Sequence, residues 1–300
     1  MLCTFNGERF LQAQINSLLQ QTYPNLEIIV SDDQSTDNTK SILQQYEHDS
    51  RFQITYQTEN LGAILNFELA TGKASGAFIA FCDQDDIWLP EKIEKLYHAI
   101  GDHWLVYSDS ILIDEEGQSL QKNLSQLRKM DSGADSRGFV FSNVVWGHAM
   151  LVKRDLLPYV LPMPKAVPHD IWFAVKATIF TGIVYLDAPL TLYRQHAKTV
   201  TTTIAQKTTA RPSEKRYHDF EEKLNWIGVI KDAEQGNRKL FYEKLYELFS
   251  LKAKGKFVWP LFFFLLKNKD ALFLFTNKSN FSRIIEIRKL SRGERLKYFF

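Results

Sequence analysis

The sequence predicts an α/β protein built around a mostly parallel sheet, and three observations carry that reading. Short apolar runs alternate with stretches of helical spacing through the first hundred or so residues. Aspartate clusters stand just where two of those runs stop. Composition is that of a globular chain, 45% hydrophobic and 24% charged over 300 residues, which excludes wholesale disorder.

The elements follow in order. Met1-Leu2-Cys3-Thr4-Phe5 reads as the last part of a buried strand whose beginning is missing from the chain. From Glu8 to Gln21, Phe10, Leu11, Ile15, Leu18 and Leu19 recur at helical spacing, and Tyr23-Pro24-Asn25 ends the helix. Strand Leu26–Val30 comes next, then a helix capped by Asp37 and running through Tyr46. Phe52–Tyr56 is a third strand, Ala63–Thr71 a helix entered through Asn60-Leu61-Gly62, and Ala77–Cys82 a fourth strand. Pro90 opens a helix through Ile100, and Leu105–Tyr107 is a fifth strand. This alternation implies parallel strands with right-handed crossovers and helices on both faces.

Beyond Asp109 the rhythm breaks. Ile111–Asp114 with the Glu116-Gly117 turn reads as a hairpin excursion, and 121–137 as a polar loop. Ala149–Val152 is a further strand, Asp170–Phe180 a helix, and Ile183–Leu186 and Leu190–Arg194 two short strands. From about Ser213 the pattern is helical and basic. Residues 1–205 carry 16 Lys/Arg against 24 Asp/Glu, and residues 206–300 carry 21 against 11. An acidic body, 1–205, therefore precedes a basic helical extension, 206–300, suited to an anionic surface. Two cysteines, Cys3 and Cys82, make no disulfide framework and fit a reduced setting; no secretory signal opens the chain.

Five constellations could carry chemistry. Asp83-Gln84-Asp85-Asp86 ends the fourth strand, where two carboxylates can reach one side of a turn and share a divalent cation with diphosphate oxygens. Ser31-Asp32-Asp33-Gln34-Ser35-Thr36-Asp37 ends the second strand, where Asp32 and Asp33 could bond a base or ribose. Thr4-Phe5-Asn6-Gly7 ends the first, with an aromatic able to stack on a base. Asp170 in Pro168-His169-Asp170-Ile171-Trp172 stands at a helix start, where a carboxylate stays ionised and could accept a proton. In Tyr193-Arg194-Gln195-His196, arginine could clamp a phosphate and histidine complete a metal shell. Each also reads as ordinary structure: Asp-rich turns, helix caps, a core Phe or a buried histidine.

Taken in order, these elements resemble the family 2 glycosyltransferases, inverting enzymes of the GT-A fold. Asp-Gln-Asp-Asp-Ile-Trp at 83–88, His-Asp-x-Trp at 169–172 and Tyr-Arg-Gln-His at 193–196 look most like the bacterial rhamnosyltransferase-type branch. The resemblance covers roughly residues 1–200. It implies a Rossmann-like sheet and transfer of a sugar from a nucleotide-diphosphate donor to a hydroxyl of a glycan or lipid-linked acceptor. The branch points to rhamnose, with UDP-hexoses left open. By the same resemblance, Thr4, Phe5 and Asp33 hold the base, with Asn6 and Asp32 beside them in the nucleotide-sugar site. Asp83 meets the ribose or the metal; Asp85 and His196 bind Mg²⁺ or Mn²⁺. Arg194 stabilises the diphosphate, and Asp170 is the catalytic base. Where the family often has Glu-Asp, this chain has His169-Asp170, so no role carries over to His169. An inactive relative that only binds nucleotide sugar or glycan is the competing reading. A nucleotidyltransferase would want a Gly-rich basic loop that Asn6-Gly7-Glu8-Arg9 does not supply.

The basic extension contains the apolar run Phe257–Leu266, with Lys252, Lys254 and Lys256 before it and Lys267 and Lys269 after it. About 20 apolar residues are needed to span a bilayer, and this run is half that. Residues 252–269 therefore read as a segment lying on an anionic membrane surface, which would place the protein in the cytoplasm at the inner face of the plasma membrane. A helical tail packed on the body is the alternative. No nucleic-acid-binding motif accompanies the charge.

Overall fold

The computed structural model describes residues 1–196 and 212–294, with side chains from 218 onward in the second stretch. The chain divides into two units, Met1–Ala134 with Val145–Ile204, and Asp135–Val144 with Ala205–Phe300. The expected 205/206 boundary lies outside the described residues.

In the first unit, Leu11, Ile15 and Leu18 fall on one face of α1 (Leu11–Leu19), and all three are buried. Truncating Ile15 to alanine there would cost about 2–5 kcal/mol. The helix starts where Gly7 O accepts the N–H groups of Phe10 and Leu11. Strand β1 (Leu2–Thr4) precedes it, and β2 (Ile28–Asp32) follows. Then come α2 (Thr39–Gln44), β3 (Phe52–Tyr56), α3 (Ala63–Thr71) and β4 (Phe78–Ala80). Strands β1, β2 and β3 pair in parallel in that order, and every residue of β2 is buried, as befits a strand covered on both faces. Met1 and Leu2 join this sheet to the fourth strand: Cys82 N–H donates to Met1 O at 2.8 Å, and the Met1 ammonium donates to Ala80 O at 2.7 Å. A largely apolar cavity of about 410 Å³ is lined by Met1, Leu26, Ile28, Phe78, Ala80 and Tyr97 among others.

The chain continues through β5 (Ile87–Trp88), α4 (Lys92–Ile100), β6 (Leu105–Ile113), β7 (Ser119–Asn123) and α5 (Leu124–Leu127). After these come β8 (Met150–Lys153), α6 (Leu157–Val160), α7 (His169–Phe180) and β9 (Ile183–Arg194). Their order across the sheet is β4-β8-β6-β9-β5, with β7 on β6 as the expected hairpin. This half is mixed rather than parallel, because β8 runs antiparallel between β4 and β6. Strand β6 outruns its expected end at Tyr107. Ser108, Asp109 and Ser110 stay in the sheet although polar, since Ser125 donates N–H (3.0 Å) and Oγ–H (2.6 Å) to buried Asp109. The two short strands expected at 183–194 are one strand, and register shifts opposite Ser108–Ser110 put Asp187 and Ala188 out of line.

The second unit contains α8 (Pro212–Ala233), α9 (Gly236–Ser250), α10 (Trp259–Lys267), α11 (Lys269–Leu272) and α12 (Asn280–Leu290). No strand occurs among its described residues. Asp135–Val144 belongs to its core: Phe139 packs on Phe275 with centroids 4.9 Å apart, and Ser136 is hydrogen-bonded to buried Glu234 and to Tyr242. No described helix is long and apolar enough to cross a membrane.

Candidate active site

The ends of β1 and β2 form one platform. Thr4 Oγ1 donates to Asp32 Oδ1 at 2.7 Å, and Ser35 donates to the same carboxylate through N–H (3.0 Å) and Oγ (2.5 Å). Asn6 holds the turn at φ +49°, with its Oδ1 accepting Thr36 N–H at 2.8 Å. Phe5 is left 46% exposed beside it, able to present its ring to a base. Asp33 is engaged differently. Its two oxygens accept Leu61 N–H (2.7 Å) and Gly62 N–H (2.9 Å), fixing a turn in which Gly62 adopts φ +79°. Asp37 caps, accepting Thr39 N–H at 3.0 Å.

The 83–86 turn is tied to that platform through Gln84. Phe5 N–H donates to Gln84 Oε1 at 2.8 Å, and Gln84 Nε2 donates to Phe5 O at 3.0 Å. Gly7 makes room for this amide, since a Cβ there would lie 2.3 Å from Gln84 Oε1. The turn's carboxylates then point in two directions. Asp85 Oδ2 sits 2.7 Å from His196 Nε2, while Asp86 is fully buried. Asp86 Oδ1 accepts Arg194 N–H at 3.0 Å, and its Oδ2 has no hydrogen-bond partner among the described residues. His148 Nδ1 lies 3.7 Å from Asp86 Oδ2 and 3.9 Å from Asp83 Oδ2. The Asp83 side chain is still 43% exposed.

Two buried residues complete this layer and were missed from sequence. His148 Nε2 is 3.0 Å from Ser110 Oγ, and its ring stacks on Tyr193. Lys92 is fully buried, with Nζ donating to His148 O and, at 2.8 Å, to Thr191 Oγ1, 3.6 Å above the Trp88 ring. A histidine inside the apolar run 139–152 was the available signal for His148. Lys92, beside Pro90-Glu91 at a helix start, reads as solvated. Burial pulls the Lys92 ammonium down to about 7 and His148 well below the usual histidine range. Burial, reinforced by neighbouring carboxylates, pushes Asp86 and Asp83 up.

Asp170 lies in the first turn of α7, nearly buried, and its charge is among those raising Asp83. His169 packs its ring against Phe67 and Phe81 at 4.6 and 5.0 Å; burial lowers it to about 4, and its Nε2 has no partner among the described residues. The Arg194 guanidinium, expected on a phosphate, is committed elsewhere. It donates to Asp85 O (2.8 Å), Glu115 O (2.8 Å) and Asp114 O (3.2 Å) and lies over the Phe10 ring. Clamping a phosphate would require those bonds to break.

Asp83, Asp86 and His148 present ligand atoms within 4.8 Å of one another. Carboxylate oxygens with a neutral imidazole suit a divalent cation, and the orphaned Asp86 Oδ2 is the kind of atom such an ion satisfies. This group shares only Asp83 with the expected set Asp83, Asp85 and His196, in which Asp85 and His196 lie 2.7 Å apart; both sets offer the carboxylate and imidazole donors that Mg²⁺ or Mn²⁺ accepts.

Comparison with known proteins agrees with this architecture. The model "Glycosyl transferase family 2" matches residues 1–160. The "Putative teichuronic acid biosynthesis glycosyltransferase TuaG" of Bacillus subtilis (strain 168) is 35% identical over 122 residues, 40% of this chain and 48% of that protein. The Escherichia coli "UDP-Glc:alpha-D-GlcNAc-diphosphoundecaprenol beta-1,3-glucosyltransferase WfgD" is 42% identical over 91 residues, 30% of this chain and 36% of that protein. This chain thus spans half or less of the length of these two relatives. Among solved structures, S. aureus TarS 1-349 in complex with UDP-GlcNAc superposes with TM-score 0.60 at 18% identity, over 90% of this chain and 80% of that one. Mannosyltransferase PcManGT from Pyrobaculum calidifontis, in complex with GDP-Man and Mn2+, gives 0.53 at 16%, over 97% and 84%. The fold is the expected GT-A α/β fold with a helical C-terminal region. A family model spanning more than half of the chain, on a sheet that brings the aspartate turn to its strand ends, makes this protein a member of glycosyl transferase family 2.

Proposed function

We propose that the chain is an inverting, metal-dependent glycosyltransferase moving a hexose from a UDP-sugar to a hydroxyl of a lipid-linked or cell-surface glycan. The observation that carries this is the 83–86 turn: Asp85 and His196 meet 2.7 Å apart at the strand ends, with Asp170 close enough to raise Asp83. WfgD, by its name, uses UDP-glucose and a diphosphoundecaprenol-linked acceptor, which favours that donor and acceptor class. Rhamnose, implied by the branch resemblance, has no counterpart among the relatives named above.

Asp83, Asp85 and His196 would hold Mg²⁺ or Mn²⁺, their side chains being 43%, 19% and 10% exposed, with the more deeply buried Asp86 and His148 within 4.8 Å of Asp83 as further donors. The ion would supply Lewis-acid stabilisation of charge on the departing diphosphate. Thr4, Phe5, Asn6 and Asp32 form the nucleotide platform, and Asp33 shapes it by holding the Leu61-Gly62 turn. Asp170 takes the proton from the acceptor hydroxyl. That oxygen attacks the anomeric carbon as the carbon–diphosphate bond breaks on the opposite side, so the centre inverts. Arg194 holds the Asp85 backbone, and with it the metal turn, in place.

The test is a screen of UDP-glucose, UDP-GlcNAc and dTDP-rhamnose with Mn²⁺, reading nucleoside diphosphate release and thermal stabilisation. Stabilisation without release for every donor and acceptor would favour the inactive, binding-only relative. Asp170→Asn should keep nucleotide binding while turnover drops by roughly 10²–10⁴; retained turnover removes Asp170 as the base. Asp85→Ala should abolish Mn²⁺-dependent nucleotide affinity, and an unchanged affinity removes the metal assignment.

A further inference from the structure

Helix α10 carries an aromatic surface left uncovered among the described residues. Leu261 and Leu265 are fully buried, whereas Trp259 and Phe263, one turn apart on another face, are each 60% exposed. These rings do not stand singly. Phe257–Trp259, Trp259–Phe263 and Phe262–Phe263 centroids lie 4.7, 6.1 and 5.5 Å apart. Isolated exposed apolar side chains are ordinary, but a connected cluster of them marks a contact surface.

Charge decides what it contacts. Between residues 252 and 294 there are ten Lys/Arg against three Asp/Glu. Lys256 and Lys267 stand exposed at the two ends of the aromatic ridge. Lys252 does not join them: it is buried, with Nζ 4.5 Å above the Phe249 ring. The neighbouring α12 repeats the pairing, with Phe281 73% exposed, Ile284 and Ile285 also outside, and Arg288 and Lys289 in its last turn. Protein interfaces enrich aromatics but deplete lysine. Aromatic rings rimmed by lysines suit the boundary between phospholipid headgroups and acyl chains. At nine residues α10 is too short to cross.

We propose that the α10 ridge docks the protein on an anionic phospholipid surface, with Trp259 and Phe263 at the headgroup boundary and Lys256 and Lys267 on lipid phosphates. This holds whichever sugar is transferred. The full chain is sedimented with phosphatidylglycerol vesicles and with phosphatidylcholine vesicles, at low and high salt. Binding to the former, lost in high salt and weak on the latter, is the expected result. Trp259→Ser/Phe263→Ser should weaken binding by about tenfold or more, and Lys256→Gln/Lys267→Gln by roughly thirtyfold. Circular dichroism and nucleotide-induced stabilisation of the same variants check that they fold. No sedimentation with phosphatidylglycerol at low salt, or binding unchanged in the folded aromatic variant, overturns the proposal. So does a concentration-dependent dimer that the aromatic variant dissolves while vesicle binding is absent, since the ridge then covers a second copy.

Discussion

His169 has a definite thermodynamic consequence although it stands beside the proposed base. Its ring is enclosed by Phe67 and Phe81, and burial holds its pKa near 4. The unfolded chain takes up a proton at about 6.5 that the folded chain refuses until about 4. Stability is therefore full above about pH 6.5 and falls as pH drops toward 4, by roughly 3 kcal/mol at most. His169→Gln should flatten the acid side of a denaturation-midpoint against pH plot, and an undiminished slope would show that other groups dominate it. The aspartates teach a related lesson about what is readable. Their presence at strand ends was legible in the sequence, but their partners were not. Asp33 is held by the amides of residues 61 and 62, and Asp86 by the amide of residue 194, contacts that exist only after the chain closes. Lys92 and His148 stayed hidden for the same reason, since a buried titratable side chain looks in one dimension like a solvated one.

Periodicity located the helices and strands of the nucleotide half well, because their hydrophobic faces are set by residues a turn or two apart. Phe52–Tyr56 and Ala63–Thr71 have the bounds their spacing predicts. Three strands escaped it, β5 because two residues carry no period. β6 carries a polar stretch whose hydrogen bonds come from elsewhere, and β9 contains a bulge that looks in sequence like a gap. β6 offers a test of its own. Its buried Asp109 accepts both donors of Ser125. Ser125→Ala removes the hydroxyl donor, and unfolding free energy should fall by about 1–3 kcal/mol; an unchanged melting temperature would show that this bond does not hold the polar stretch in the sheet.

The two units differ in how much of their purpose can be read. The first holds every residue assigned to donor, metal and base, and its order of motifs was enough to identify the family. The second announced its charge and its apolar run, but only the fold separated buried Leu261, Leu265 and Lys252 from exposed Trp259 and Phe263. The ten-residue detour from Asp135 to Val144 has a practical corollary for anyone trimming the chain. Phe139 relies on Phe275, and Ser136 on Glu234 and Tyr242, so residues more than ninety positions downstream are its packing partners. A protein stopped near residue 205 would keep the residues assigned to the donor yet lose the partners of that loop, leaving Phe139, Val140 and Val144 to solvent. An autonomous catalytic fragment therefore needs that loop redesigned with polar side chains, not merely a shorter gene.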